Sequence, residues 1–169
     1  MNKTAEIIFL FFFLLFLQVF ILNKILFLGY INPYLYIAFV FLYPLKENKT
    51  SLLISAFLLG LCVDFFSNSG GIHAFATVFI AYIRSYLIHP IFRKSPADYP
   101  FFNLRLEPFG KVFNYVSILT IIHHFLLFSL ANFSFQNYVN VLINTLFSSI
   151  FTLILFFLGD YIFRPKKVS

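Results

Sequence analysis

Residues 7 to 22 read IIFLFFFLLFLQVFIL, an unbroken apolar run whose single polar side chain is Gln18. A run of this length decides what the chain can fold into. Barrel strands alternate apolar and polar positions over roughly ten residues, and this run does not alternate. A chain in hydrocarbon has no water to satisfy its backbone, so it must be helical or closed into a barrel. Continuous runs favour helices. Similar runs recur to the end of the sequence, so that 61% of the residues are hydrophobic and 11% charged. Soluble domains carry about 25% charged residues, and a soluble fold of this size has too much surface for so few. Lipid is the solvent of this chain.

A membrane-spanning helix needs about 20 mainly apolar residues. On that criterion the sequence predicts an all-α integral membrane protein with six transmembrane helices in one polytopic domain, residues 1–169. The expected spans are residues 5–22, 25–45, 51–66, 72–90, 112–131 and 138–163. Pro33 is expected to start or kink the second. Residues 91–111 form a proline-rich cytoplasmic loop whose aromatics suit the membrane interface. The first run exceeds the 7–15 residues usual for the core of a secretory signal and lacks a small-residue cleavage site, so it reads as a retained anchor.

Ten of the twelve Lys and Arg residues fall in four places: the N-terminus, the 46–49 turn, the 91–111 loop and the tail. Lys24 alone lies in a connection on the other side, and Arg84 lies inside the fourth span. This bias places both termini in the cytoplasm. The net charge of +6 is therefore distributed at helix ends, where anionic lipid headgroups are the expected partner and nucleic acid is not. Cys62, the only cysteine, excludes an internal disulfide.

Ionisable side chains inside a membrane are costly and need partners or work to do. Asp64 stands near the end of the third span, and His73 opens the fourth. His123 and His124 sit midway along the fifth at a depth similar to that of Asp64, so an Asp64–histidine contact is possible. Arg84 and Asp160 also match in depth, which makes them a second candidate pair. Catalysis is not expected. Asp64 and Asp160 fall at opposite faces, too far apart for an aspartyl dyad. SNSGG is not a serine nucleophile motif, and the adjacent histidines lack the carboxylate of a zinc helix. No metal and no cofactor are expected. A carboxylate at position 64 can accept hydrogen bonds from the first amides of the fourth helix, whose N-terminus favours negative charge.

The stretch AFLLGLCVDFFSNSGGIHAFATVFIAYI, residues 56 to 83, resembles the most recognisable segment of the rod shape-determining protein MreD family. There a Gly-x-x-x-Asp closes one span and leads through a short turn into Gly-x-His-Ala and a helix bearing tyrosine. Gly60, Asp64, Gly71, His73, Ala74 and Tyr82 fall on that pattern. Gln18 late in the first helix, Pro33 and the basic tail are similar too. The resemblance covers about residues 15 to 90.

The family has no known enzymatic reaction. The resemblance implies a non-catalytic scaffold of cell-wall elongation and rod shape in the bacterial cytoplasmic (inner) membrane. Its partners would be an MreC-like bitopic membrane protein, RodA with its partner transpeptidase, and MreB. It also implies an architecture similar to the six-helix substrate-binding subunits of energy-coupling-factor transporters. That likeness keeps a small-molecule transporter or substrate-binding subunit as the alternative, and an intramembrane hydrolase is a weaker third. The structural or partner-contact candidates are Gly60, Asp64, Gly71, His73, Tyr82, Arg84 and Asp160.

Overall fold

The computed structural model describes residues 3–25, 31–132 and 138–163. The tail cations Arg164, Lys166 and Lys167, together with Asn137 and part of the expected second span, lie outside these residues. Every regular element described is helical: α1 (Lys3–Phe16), α2 (Ala38–Leu42), α3 (Lys49–Ser67), α4 (Ile72–Phe92), α5 (Phe109–Ala131) and α6 (Tyr138–Phe163). A π-helical turn, Leu17–Ile21, and a 3-10 turn, Leu22–Lys24, extend α1. Five of the resulting rods are long and apolar enough to cross a membrane: Lys3–Lys24, Lys49–Ser67, Ile72–Phe92, Phe109–Ala131 and Tyr138–Ile162. Large apolar side chains such as Ile54, Phe75, Leu146 and Ile154 are exposed on their outer faces, as expected where the surroundings are lipid. The protein is a multi-pass membrane protein.

The second expected span is not a continuous helix. Between residues 31 and 45 the backbone is helical only over 35–42, as a 3-10 turn (Leu35–Ile37) leading into the short α2. The cause is proline at both ends. Pro33 lacks a donor and biases Asn32 toward extended backbone, and Pro44 does the same to Tyr43, whose φ and ψ are −62° and 128°. Non-helical backbone is tolerated at membrane depth only where protein covers it. Here it is covered: Tyr36, Ile37, Phe39 and Val40 are fully buried and belong to the main core with Leu59, Ile80, Val116 and Leu119.

The long helices pack in sequence order, α3 on α4, α4 on α5 and α5 on α6. Asn23, at the end of the first rod, donates from Nδ2 to Ser67 Oγ at the end of α3 (3.0 Å). These two rods therefore end side by side, at what is here termed the hairpin end. The opposite end carries Lys46, Lys49, Arg93, Lys94, Arg105 and Lys111 and is termed the basic end.

Candidate functional site: the polar network around Asp64 and Tyr36

α3 stops at Asn68, whose φ of 53° is left-handed, and the chain turns back through Gly70 and Gly71 at φ 68° and 96°. Such angles suit glycine, which has no Cβ to clash. α4 begins immediately afterwards, and Gly71 at its N-cap has no side chain to satisfy the first amides. Asp64 supplies that function from the neighbouring helix. His73 N–H donates to Asp64 Oδ1 (3.0 Å) and Ala74 N–H to Oδ2 (2.8 Å). The Ser69 hydroxyl donates to Oδ1 at 2.6 Å. A buried carboxylate is thus held by three donors, two of them at the positive end of a helix, which offsets the cost of leaving water.

Gly60 makes the approach possible. A Cβ built there would sit 2.5 Å from Ala74 Cα and 2.7 Å from both Ala74 N and His73 O. Any side chain at 60 would push α4 away from the carboxylate one turn further on. Gly60, Asp64, Gly71 and His73 are therefore brought together in one joint.

The His73 ring leads inward. Its Nδ1 lies 2.9 Å from the Tyr36 hydroxyl, and His123 Nε2 lies 2.9 Å from the same oxygen. Thr77 Oγ1 is 3.2 Å from that oxygen and donates to His73 C=O at 2.6 Å. Tyr36 therefore ties the irregular segment to α4 and α5 simultaneously. Gln18, fully buried in the π turn, holds the same segment from the other side. Its Nε2 donates to Pro33 C=O (3.0 Å) and Asn23 Oδ1 (2.8 Å), and Tyr36 N–H donates to its Oε1 (3.3 Å). A third tie comes from α6: Tyr34 N–H donates to Thr152 Oγ1 (3.0 Å), which also meets His124 Nε2 (3.1 Å). The backbone donors released by unwinding are thus taken up by side chains.

Asp64 meets neither His123 nor His124 directly; the connection runs through His73 and Tyr36. Arg84 and Asp160, expected as a pair, are not paired. The Arg84 guanidinium donates to Val40 C=O within α2 and lies 5.7 Å from the centre of the Tyr43 ring. Asp160 instead lies 3.7 Å from Arg105 Nε. Depth along a helix follows from residue count, but rotation about its axis does not, and rotation sends Arg84 to the irregular segment. Tyr82 also lies away from the joint. It is exposed, within 3.2 Å of the Tyr86 hydroxyl and with Lys49 Nζ 4.3 Å from its ring centre.

Tyr36, Thr77 and Thr152 were not singled out by sequence. The only signal near Tyr36 is Pro33, expected to start or kink the second span.

Several buried polar atoms have no protein partner among the described residues: His123 Nδ1, Thr120 Oγ1, Ser148 Oγ and Ser149 Oγ. Along the helices, Thr120 lies one turn before His124 on α5, and Ser148 and Ser149 about one turn before Thr152 on α6. The arrangement offers hydrogen bonds between elements. No protein-family model, no curated protein and no solved structure matches the chain.

Proposed function

We propose that this chain is a non-catalytic membrane scaffold of bacterial cell-wall elongation, similar to the MreD family, that works by presenting a rigid hairpin to other membrane proteins. The supporting observation is the α3–α4 joint. Gly60 allows backbone contact, Asp64 caps α4, and the turn between them is fixed by two left-handed glycines. Beside this joint Phe65 and Phe66 are exposed at the hairpin end. A fixed hairpin with protruding aromatics suits recognition, since a surface ordered beforehand loses little entropy on binding. In this reading the chain lies in the cytoplasmic membrane with both termini in the cytoplasm. The irregular segment 31–45 is the second of six crossings, and an MreC-like bitopic protein is the first partner. RodA, its transpeptidase and MreB would be reached within the same assembly.

Affinity capture from detergent-solubilised membranes tests the reading. An MreC-like protein should accompany the native chain and be lost with the double substitution Phe65→Ser and Phe66→Ser. Its absence from the native capture would remove the proposal.

A second reading rests on the unwound segment, since transporters build midplane sites from interrupted helices. As a small-molecule transporter or substrate-binding subunit, the chain would use the hydroxyls near Thr152. Against it, the polar atoms of the segment that meet Gln18, His73, His123 and Thr152 are already bonded within the chain. Saturable binding of a small ligand by the purified protein would favour this reading.

A further inference from the structure

The connection between α4 and α5, expected at the membrane interface from its aromatics, is a packed element. It folds back against the bundle, where a free loop would project from it. A 3-10 turn (Pro96–Phe101) and a second one (Leu104–Leu106) give it form. Tyr99 and Phe102 pack against the main core, and the Phe102 ring lies 5.1 Å from that of Phe92. Leu104 is buried. Arg105 reaches Asp160 of α6, and Leu104 and Arg105 lie beside Leu42, Val112, Phe156 and Asp160. Tyr99 Oη donates across a long 3.5 Å to the carbonyl of Ser85. Ser85 stands seven residues before the last residue of α4, so it lies about 10 Å inside the end of that helix at ~1.5 Å per residue. α4 has 21 residues, and a rod of that length matches a hydrocarbon core of about 30 Å. With α4 spanning that core, the part of the strap that carries Tyr99 lies alongside the last turns of α4, next to the hydrocarbon boundary.

At this level three other large apolar side chains of the connection turn away from the protein. Phe101 is 89% exposed, Leu106 76% and Phe109 61%. Around them residues 93–111 carry four cations, Arg93, Lys94, Arg105 and Lys111, against two carboxylates, Asp98 and Glu107. Asp98 is committed to Ser95, and Arg105 to Asp160. Arg93 is exposed at the end of α4, with Lys94 beside it. Apolar side chains projecting outward at the boundary, flanked by cations, are the features of an interfacial anchor.

We propose that residues 93–111 form a binding site for anionic lipid: Phe101, Leu106 and Phe109 enter the leaflet at the basic end, and Arg93, Lys94 and Lys111 hold the negatively charged headgroups. The site does not depend on which proteins the hairpin end recognises.

The chain contains no tryptophan, so Phe101→Trp introduces one reporter at a position where the side chain touches little protein. The full-length variant is reconstituted in nanodiscs of mixed phosphatidylglycerol and phosphatidylcholine. The expected indole emission is blue-shifted, quenched by lipid spin-labelled near the headgroup and shielded from iodide. Labelled phosphatidylglycerol should quench more strongly than labelled phosphatidylcholine. Arg93→Gln with Lys94→Gln should reduce that preference, on the order of fivefold for each cation removed. Water-exposed emission with full iodide quenching would overturn the proposal and leave the strap free for a soluble partner. Equal quenching by the two labelled lipids in the parent Phe101→Trp protein would overturn the anionic preference.

Discussion

Asp64 does for α4 what a capping side chain would do at Gly71, but from a different helix, and that makes it a link between elements as well as a cap. Asp64→Ala strands the amides of His73 and Ala74 at a cost of about 1–3 kcal/mol for each buried donor left unpaired. Asp64→Asn keeps one acceptor and should lose roughly half as much. Thermal midpoints in detergent should therefore fall in the order native, Asn, Ala, and equal midpoints would show that the cap contributes nothing. Tyr36 poses a different problem at this scale, because its one phenol proton faces two ring nitrogens at 2.9 Å. The Thr77 hydroxyl is a third and more distant neighbour at 3.2 Å and gives its own proton to His73 C=O. The two rings are therefore the phenol's main partners, and with both neutral the simplest arrangement has one ring donate to it and the other accept from it. His123 Nδ1 has no partner, and a bare lone pair there costs less than a stranded N–H. His123 should thus carry its proton on Nε2 and donate, while His73 accepts at Nδ1. Nitrogen NMR of histidine-labelled protein reads the tautomers directly, and a His123 protonated on Nδ1 would contradict this assignment. The sequence made Asp64 and Gly60 visible because a short spacing set both near the end of one span. It left Tyr36 obscure because its partners stand 37 and 87 positions away, beyond the reach of any local pattern.

Among the elements, α3 and α4 approach closely at Gly60 and Ala74. Gly60→Ala would force the backbones apart at Ala74, and overpacking of this kind costs about 1–3 kcal/mol. It would also draw the α4 amides away from Asp64, so the two losses are coupled. Gly110, where an added Cβ meets nothing within 4 Å, is the control. Gly110→Ala should leave the thermal midpoint unchanged or raise it by the equivalent of about 0.5–1 kcal/mol, and a similar loss at both positions would sink the close-packing argument. The strap offers a pH-dependent counterpart. Ser95 donates its backbone N–H and its hydroxyl to Asp98 Oδ2 at 2.8 and 3.0 Å, with the backbone bond the larger cause of a carboxyl held below its ordinary value. A depressed carboxyl stabilises the turn fully above the ordinary value and ceases to do so as the pH falls through the lowered one. The Ser95 amide resonance should follow that acidic titration and become pH-independent in Asp98→Asn. The five long rods were legible because lipid requires continuous apolar runs. The strap was not legible as a packed element, since proline-rich sequence fixes local turns without fixing what they fold against.

For the molecule as a whole, the irregular segment carries the topology. Asn23 and Ser67 meet at the hairpin end, so the first rod and α3 run in the same direction, and the chain between Lys24 and Lys49 has to return across the bundle. A regular helix would need about 20 residues for that. Extended backbone rises about 3.3 Å per residue and a 3-10 turn about 2 Å, so residues 31–45 are long enough once they are unwound. Hydropathy counts such a segment as one more helix, which is why the sequence predicts a sixth continuous span where the backbone is largely irregular. The expected topology has Lys46 on the same side as the N-terminus and Lys24 on the opposite side. With Cys62→Ala as the background, single cysteines at 3, 24, 46 and 94 can be labelled by a membrane-impermeant maleimide on intact cells. Position 24 alone should react before lysis, and the other three only after it. A cysteine at 46 that reacts together with 24 would mean that segment 31–45 enters and leaves by one face. The chain ends would then lie on opposite sides of the membrane, and the charge bias that fixed the orientation would have no physical basis.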